Sequence, residues 1–307
     1  STIKTLTALS ALENDIVSSK LIVRCQGYVD LHGERFHCWK KKGHGVVGMR
    51  TALKKSCDVY FYEVARRLGI DKLSVTAERF GLGQKVLKNY KEEKAGVVPN
   101  TKWKKRELGQ NWYLGETLHS GIGQGYFLTT PLQLSLMTAQ IANGGFKINP
   151  RIIVDKNEKI GNLQKYLNHK NSTPGNVMSP NDQIYNFNLQ PLFRNQENIN
   201  LVKDAMFAAT NEIGGTSYRS RFKEKKFMFA GKTGSSQIKR FTNEQREAEV
   251  KQQDITYLER DHAWFVAFAP VKDPRYAISV LVEHGGSGSS VAAPIAKKVI
   301  KKVIERH

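Results

Sequence analysis

The chain has 307 residues, 40% of them apolar, so it can bury a large core as one big domain or two small ones. Its formal charge of +20 indicates attraction to anionic polymers, but the lysines and arginines are scattered along the sequence. Because no base-reading motif accompanies them, the composition favours a solvated lysine-rich surface over a nucleic-acid-binding protein.

The first predicted element is a helix over residues 1–12, in which leucines and an isoleucine recur at helical spacing. Ser1 and Lys4 are three residues apart and therefore lie one turn from each other on the same face. In that geometry an amine can accept the proton that a serine loses when it attacks a carbonyl. The local alternative is a serine N-cap followed by a surface lysine.

Residues 21–48 are predicted to be irregular and polar, and they contain Cys25, Cys38 and His44, with Cys57 shortly after. Three thiols and one imidazole are the ligand set of a closed tetrahedral zinc site. Their spacing matches no standard zinc finger. The alternatives are buried free cysteines, or one disulfide with a spare thiol.

Residues 51–68 predict a single helix that ends before a glycine, with Ser56 and Asp58 near its start. Next come a predicted lysine-rich surface excursion over residues 81–111 and a predicted flexible loop over the glycine-rich residues 119–125. Local evidence alone assigns no chemistry to these stretches.

The C-terminal half alternates helices with strands. Thr130, followed by proline, predicts the start of a helix that runs to about residue 143. The remaining predictions are a meandering excursion over 152–196, a helix over 198–212, a charged loop over 238–261, strands over 262–270 and 276–283, and a final helix over 292–306.

Residues 226–237 combine an apolar, aromatic run with Lys232, Thr233 and Gly234 at what we predict to be the strand's tip. A lysine there supplies positive charge for a carboxylate or a developing anion. A glycine lets a substrate backbone lie close to the strand edge. Taken alone, the triplet is equally compatible with an ordinary strand end.

Three weak signals occur in a meaningful order: Ser-x-x-Lys, then Ser-x-Asp, then Lys-Thr-Gly. This is the motif set of class A β-lactamases and penicillin-binding proteins, with Asp58 where those proteins have Asn. Over nearly its whole length the chain resembles the transpeptidase domain of class B penicillin-binding proteins, most closely the branch that serves the rod-shape elongation machinery. Further stretches that carry the resemblance are Trp39–Gly45, Gly121–Gly125 and Glu283–Gly286.

The resemblance implies an α+β fold of the β-lactamase/transpeptidase type, with an antiparallel sheet flanked by helices. In that family two strands and an N-terminal module precede the nucleophile. We therefore expect residues 1–307 to be one transpeptidase domain that is N-terminally truncated, without those strands or the membrane anchor.

The resemblance also implies roles for the residues of the first two motifs. Ser1 would be the acylated nucleophile and Lys4 its general base. Ser56 would relay protons toward the leaving amine, and Asp58 would hydrogen-bond the substrate amide.

On the third motif, Lys232 and Thr233 would bind the substrate carboxylate, with Gly234 beside them. The backbone N–H groups of Ser1 and Ser235 would form the oxyanion hole. A lysine base must be neutral, so we expect burial or the charge of Lys232 to depress the pKa of its amine.

The implied reaction cross-links peptidoglycan stem peptides through an acyl-serine at D-Ala-D-Ala, and β-lactams would acylate the same serine. No cofactor is required for this chemistry. Some family members also carry a metal site beside the Ser-x-Asp motif, and Cys25, Cys38, His44 and Cys57 would form it here around a structural zinc. The expected partner is a membrane glycan polymerase of the elongation machinery, at the periplasmic face of the bacterial inner membrane.

Three alternative functions remain open from the sequence. A serine β-lactamase would need a base that hydrolyses the acyl-enzyme, and no glutamate between the second and third motifs clearly supplies one. A non-catalytic penicillin-binding module would be acylated without forming a peptide product. A nucleic-acid binder would show weak, sequence-blind and salt-steep binding.

Overall fold

The computed structural model of the chain describes residues 1–87, 90–152, 191–238 and 252–306. In chain order its helices and strands are α1 (Lys4–Glu13), β1 (Ile22–Cys25), β2 (Tyr28–Leu31), β3 (Glu34–His37), β4 (Gly45–Gly48), α2 (Met49–Lys54), α3 (Asp58–Leu68), α4 (Ile70–Arg79), α5 (Thr101–Leu108), α6 (Leu114–Gly121), α7 (Pro131–Ala142), α8 (Gln196–Asn211), β5 (Ala230–Ser236), β6 (His262–Ala269), β7 (Tyr276–Val282) and α9 (Ala293–Arg306). None of the described helices is long and apolar enough to cross a bilayer.

The main sheet is antiparallel, with β6 at its centre between β5 and β7. One face of the sheet, which includes Val266 and Phe268, belongs to the large core that α1, α7 and α8 also line. The other face, which includes Phe265, packs on α9. The predicted α+β fold with an antiparallel sheet flanked by helices is therefore confirmed.

The strand that carries Lys-Thr-Gly differs from the prediction in its extent. Strand β5 begins at Ala230, and residues Lys225–Phe227 form a 3₁₀ turn instead of its first part. Lys232 pairs with Val266 in the middle of the strand and does not lie at its tip. The lysine is completely buried there, and its cross-strand partner Val266 belongs to the large core.

The prediction that residues 21–48 are irregular is wrong. Strands β1 and β4 form one antiparallel pair, and β2 and β3 form another. Each strand has only four residues, which is too short for a clear alternation of apolar and polar residues in the sequence. The β1–β4 pair places Cys25 opposite Gly45, beside His44.

The single helix predicted over residues 51–68 is also wrong, because the chain breaks it into α2 and α3. Ser56 lies between the two with a φ of 53°, in the left-handed region that a serine rarely adopts. The break places Ser56 outside both helices, and α3 begins immediately after Cys57.

Two stretches predicted as loops contain helices. Within the predicted excursion over residues 81–111, α5 begins after Asn100, whose side chain accepts a hydrogen bond of 2.7 Å from Trp103 N. Helix α6 covers the first part of the predicted loop over residues 119–125. Helix α6 packs against α3. This tertiary contact is not visible in the local sequence, so the sequence alone predicted a loop.

Several predictions in the C-terminal half are confirmed. Thr130 caps α7 by accepting a hydrogen bond of 3.2 Å from Gln133 N. Strands β6 and β7 and helices α8 and α9 follow the predicted order. Most of the predicted excursion over 152–196 and part of the charged loop over 238–261 lie outside the described residues.

Candidate active site

The centre of the candidate site is the hydroxyl group of Ser56, which lies between two buried lysines. Lys4 Nζ is 3.1 Å from Ser56 Oγ, and Lys232 Nζ is 2.8 Å from the same oxygen. Both lysine residues are fully buried. Three segments that the sequence keeps far apart, the first helix, the α2–α3 break and β5, therefore meet at one oxygen atom.

Asp58 provides the negative charge next to this pair. Its Oδ1 atom lies 2.7 Å from Lys4 Nζ, and its Oδ2 atom accepts a hydrogen bond of 2.8 Å from Trp39 N. Both carboxylate oxygens are thus engaged within the protein. The predicted contact of Asp58 with a substrate amide would have to share one of these oxygens.

The two lysines are in different electrostatic situations. Lys4 forms an ion pair with Asp58 and donates a hydrogen bond of 3.0 Å to Ser56 O. Burial, and next the positive charge of Lys4, lower the pKa of the Lys232 ammonium well below its ordinary value, while Asp58 acts in the opposite direction. The buried surroundings of Lys232 therefore favour the neutral form of its amine.

Ser1 lies three residues before Lys4, the first residue of α1. Its carbonyl oxygen accepts a hydrogen bond of 3.3 Å from Lys4 N, which sets the two residues one turn apart. Among the described residues, none hydrogen-bonds to the Ser1 hydroxyl.

Strand β5 passes beside the start of α1. A Cβ atom at Gly234 would lie 3.2 Å from the Thr2 side chain, so the glycine permits this close approach. The Thr233 hydroxyl donates a hydrogen bond of 3.1 Å to the Thr216 hydroxyl. Ser235 follows on the same strand, and its carbonyl accepts a hydrogen bond of 3.0 Å from Gln124 Nε2.

Sequence reasoning missed two residues that hold the site together. Trp39 donates through its backbone N to Asp58 and through its indole Nε1 to the Ser56 carbonyl at 3.0 Å. Gln124 ties the glycine-rich turn after α6 to β5. In the sequence, Trp39 and Gln124 were marked only by their position, in the stretches Trp39–Gly45 and Gly121–Gly125 that carry the family resemblance.

A second cluster lies against the first. Sγ atoms of Cys25, Cys38 and Cys57 and a ring nitrogen of His44 all lie within 4.8 Å of one another. His44 Nδ1 is 3.5 Å from Cys38 Sγ and 3.7 Å from Cys25 Sγ. All three cysteines are buried and free, so the alternative of one disulfide with a spare thiol is not what the structure shows.

The thiol–imidazole cluster touches the catalytic candidates directly. The backbone N of Asp58 donates a hydrogen bond of 3.4 Å to Cys38 Sγ, and the rings of Trp39 and His44 meet at 5.3 Å between centroids. The ring atom His44 Nε2 is buried and makes no hydrogen bond with any described residue. The predicted ligand set is therefore assembled next to the predicted catalytic motif.

The fold and this site define a class of protein. A family model of the penicillin-binding protein transpeptidase domain matches residues 1–301, and the chain belongs to that family. Within it, the chain is similar to penicillin-binding protein 2, which the curated relatives name as peptidoglycan D,D-transpeptidase MrdA.

Two curated relatives illustrate the similarity. The MrdA of Acinetobacter baumannii is 34% identical over 300 residues, which cover 96% of this chain and 41% of that protein. The MrdA of Salmonella typhimurium is 32% identical over 307 residues, which cover 99% of this chain and 46% of that protein. The chain thus spans less than half the length of these relatives.

Solved structures give the same assignment. The structure of Pseudomonas aeruginosa PBP2 in complex with WCK 5153 matches with a TM-score of 0.76 and 32% identity, covering 99% of this chain and 60% of that one. The Helicobacter pylori PBP2 in a complex with MreC matches with a TM-score of 0.79 and 29% identity, covering 99% and 49% of the two chains.

Proposed function

We propose that the chain is the catalytic domain of a peptidoglycan D,D-transpeptidase that works through an acyl-serine intermediate. The observation that carries the proposal is the Ser56 hydroxyl held between Lys4 and Lys232, with Ser1 one turn before Lys4. A buried hydroxyl between two amines is a route for a proton, and a serine next to that route can act as a nucleophile.

In the first half-reaction, Ser1 Oγ attacks the carbonyl carbon of the penultimate D-Ala of a stem peptide while the neutral form of the Lys4 amine accepts the hydroxyl proton. The C–N bond to the terminal D-Ala then breaks, and the leaving nitrogen takes a proton through Ser56. N–H groups of Ser1 and Ser235 would stabilise the oxyanion, and Lys232 with Thr233 would bind the terminal carboxylate. D-Ala leaves and an ester on Ser1 remains.

In the second half-reaction, the amine of a neighbouring stem attacks the ester carbonyl. A new C–N bond forms, the C–O bond to Ser1 breaks, and the serine oxygen regains a proton from the attacking amine through the same lysines. Because a β-lactam carries a strained amide and a carboxylate, it would acylate Ser1 by the first half-reaction alone.

Mass spectrometry after incubation with a penicillin tests this proposal. We expect one adduct on Ser1 in the wild-type chain, no adduct in Ser1→Ala, and an unchanged adduct in Ser19→Ala, where an exposed serine is removed. A folded wild-type chain without an adduct on Ser1 would refute the proposal. Hydrolysis of a chromogenic cephalosporin over many turnovers would show a β-lactamase instead. Acylation of Ser1 without cross-linking of stem peptides would indicate a non-catalytic penicillin-binding module.

We further propose that Cys25, Cys38, His44 and Cys57 hold a structural zinc ion. Three buried thiols without a disulfide and one imidazole nitrogen that faces two of them match the ligand set of closed zinc sites. When bound, the metal would brace the start of α3, which carries Asp58, and would take no part in acyl transfer.

Elemental analysis together with thermal unfolding tests the zinc proposal. We expect about one zinc per chain, and we expect a chelator or Cys25→Ser to remove it and to lower the melting temperature. Ser19→Ala, which changes an exposed serine outside the ligand set, should keep the metal. A chain that contains no stoichiometric metal and whose three thiols all react with a thiol reagent would contradict the proposal.

Finally, we propose that the domain works at the periplasmic face of the bacterial inner membrane with a membrane glycan polymerase of the elongation machinery. In support, the chain is similar to a solved structure of a peptidoglycan synthase complex that coordinates polymerization and crosslinking. That match has 26% identity and a TM-score of 0.69, and it covers 97% of this chain and 44% of that one. Protease treatment of spheroplasts should degrade the native protein, and the polymerase should co-purify with it. Protection from protease would contradict the proposed location. Purification without a polymerase would contradict the proposed partner.

A further inference from the structure

Two segments that are distant in sequence form one surface in the fold: residues 219–226 and helix α9. The segments pack against each other, and Lys297 Nζ of α9 lies 4.9 Å from the centre of the Phe222 ring. We call residues 219–226 and α9 together the basic surface.

The basic surface brings together positive charges from two separate parts of the sequence. Its 22 positions contain ten basic and two acidic residues, so it carries +8 of the net +20 of the 307-residue chain. The ten basic residues are Arg219, Arg221, Lys223, Lys225, Lys226, Lys297, Lys298, Lys301, Lys302 and Arg306, and eight of them are exposed. Folding therefore creates a positively charged area that the scattered lysines of the sequence did not predict.

This surface lies on the side of the main sheet that faces away from the lysine pair. Ala296 and Ile300 of α9 pack in one cluster with Phe265 of β6. Lys232 pairs with Val266, whose side chain belongs to the other face. Charged side chains of the basic surface are therefore separated from the candidate active site by the sheet itself.

The composition of the surface narrows the class of partner. Ala296 and Ile300 of α9 face the sheet. On the outer side of the helix, Ile295 and Val299 are exposed among lysines, so α9 has no wide apolar face to insert into a membrane. Phe222 and Phe227 are at least partly buried under lysine side chains, and no aromatic ring of the basic surface is exposed as a platform for nucleic-acid bases. The class of partner that fits this surface is therefore a flexible polyanion, bound through its negative charge.

We propose that the basic surface binds the peptidoglycan polymer itself, through the carboxylates of its stem peptides. This inference rests on the proposed function, because that function makes the polymer the substrate. Each stem that ends in D-Ala-D-Ala carries a carboxylate, and the polymer repeats it along the glycan. Several weak contacts with repeated carboxylates would keep the domain on its substrate between turnovers.

Co-sedimentation with purified, insoluble peptidoglycan tests the proposal, using protein already acylated by a penicillin so that the active site is blocked. The test variant is Lys298→Glu/Lys302→Glu/Arg306→Glu, which reverses three exposed charges along one side of α9. The matched control is Lys102→Glu/Lys105→Glu/Arg106→Glu, which makes the same change in charge on α5. We expect the test variant to bind about tenfold or more weakly, the control to change less than about threefold, and wild-type binding to fall with added salt.

Both variants should retain the wild-type melting temperature and Ser1 acylation, which shows that they are folded. Equal loss in the two variants, or retention of binding in the test variant, would overturn the proposal. So would stronger binding of the wild-type chain to phosphatidylglycerol vesicles than to peptidoglycan, lost only in the test variant. Failure of the proposed function would show separately, as absence of the penicillin adduct on Ser1.

Discussion

Lys232 donates a hydrogen bond of 2.8 Å to the hydroxyl of Ser56 across 176 positions of sequence. The same hydroxyl is 3.1 Å from Lys4 Nζ, and Ser56 itself has a φ of 53°. The residue that joins the two lysines is thus held in a backbone conformation that disfavours a side chain. Local strain at this position accompanies the assembly of the site.

Two substitutions of Ser56 separate backbone strain from chemistry. Ser56→Ala and Ser56→Gly both remove the hydroxyl, so we expect both to slow acylation of Ser1 by a penicillin to a similar extent. Because glycine tolerates a positive φ, Ser56→Gly should be more stable than Ser56→Ala by about 1–2 kcal/mol. Stopped-flow acylation and urea unfolding measure the two effects. Equal stability of the variants would show that the backbone is unstrained.

Substitution of Asp58 tests the buried ion pair with Lys4. Asp58→Ala leaves a fully buried lysine without its carboxylate 2.7 Å away, and we expect it to lower the free energy of unfolding by about 3–5 kcal/mol. Asp58→Asn keeps an oxygen that can accept from Lys4 or from Trp39 N, so its loss should be smaller. Urea unfolding of both variants measures this, and an equal loss in both would contradict the importance of the retained acceptor.

The lowered pKa of Lys232 predicts a pH dependence of stability. In the folded protein this amine releases its proton at lower pH than in the unfolded chain, where its pKa is ordinary, 10.5. The penalty for burying the charged form is complete at low pH. It is relieved as pH rises from the folded pKa toward 10.5, so stability should rise in that window by up to about 1.4 kcal/mol per pH unit.

Lys232→Met should reduce that rise to the part that Lys203 contributes, because burial lowers the pKa of Lys203 as well. Lys272→Met, which changes an exposed lysine, should keep the full rise. Denaturant unfolding at a series of pH values up to 10.5 measures the slope for all three proteins. A wild-type slope that persists in Lys232→Met would assign the effect to another group.

The sequence was sufficient for the order of the motifs but not for the local structure that joins them. Ser1, Lys4, Ser56, Asp58 and Lys232 were singled out by type and spacing, and the structure gathers them. Their meeting depends on long-range packing of α1, α3 and β5, which periodicity cannot report. The roles assigned to them stay predictions until the experiments above are done.

The largest errors arose where short elements owe their form to tertiary contacts. Helical propensity continues through residues 51–68, yet the chain breaks at Ser56, whose hydroxyl lies between Lys4 and Lys232. Four-residue strands β1 to β4 are likewise too short to leave a pattern. In contrast, α7 carries its own cap at Thr130, so its start was predicted correctly.

A last prediction concerns Lys104, whose buried ammonium pairs with Glu116 and lies 4.8 Å from the Tyr113 ring and 5.8 Å from the Tyr126 ring. Its stem and charge join α5 to α6, and Tyr126 follows the turn in which Gln124 holds β5. Lys104→Met should lower the free energy of unfolding by about 1–3 kcal/mol, because Glu116 loses its ion-pair partner, although it keeps the hydrogen bond from Tyr113 N, and the rings lose a cation.

The double variant Lys104→Met/Glu116→Gln distinguishes charge from packing. If the cost of Lys104→Met comes from the unpaired carboxylate, the second substitution should recover about half of it or more in a double-mutant cycle. Lys105→Met, on the exposed side of α5, should change stability by less than about 0.5 kcal/mol. Urea unfolding of the four variants decides the question. If Glu116→Gln adds a further loss in place of a recovery, the rings and not the ion pair hold Lys104 in place.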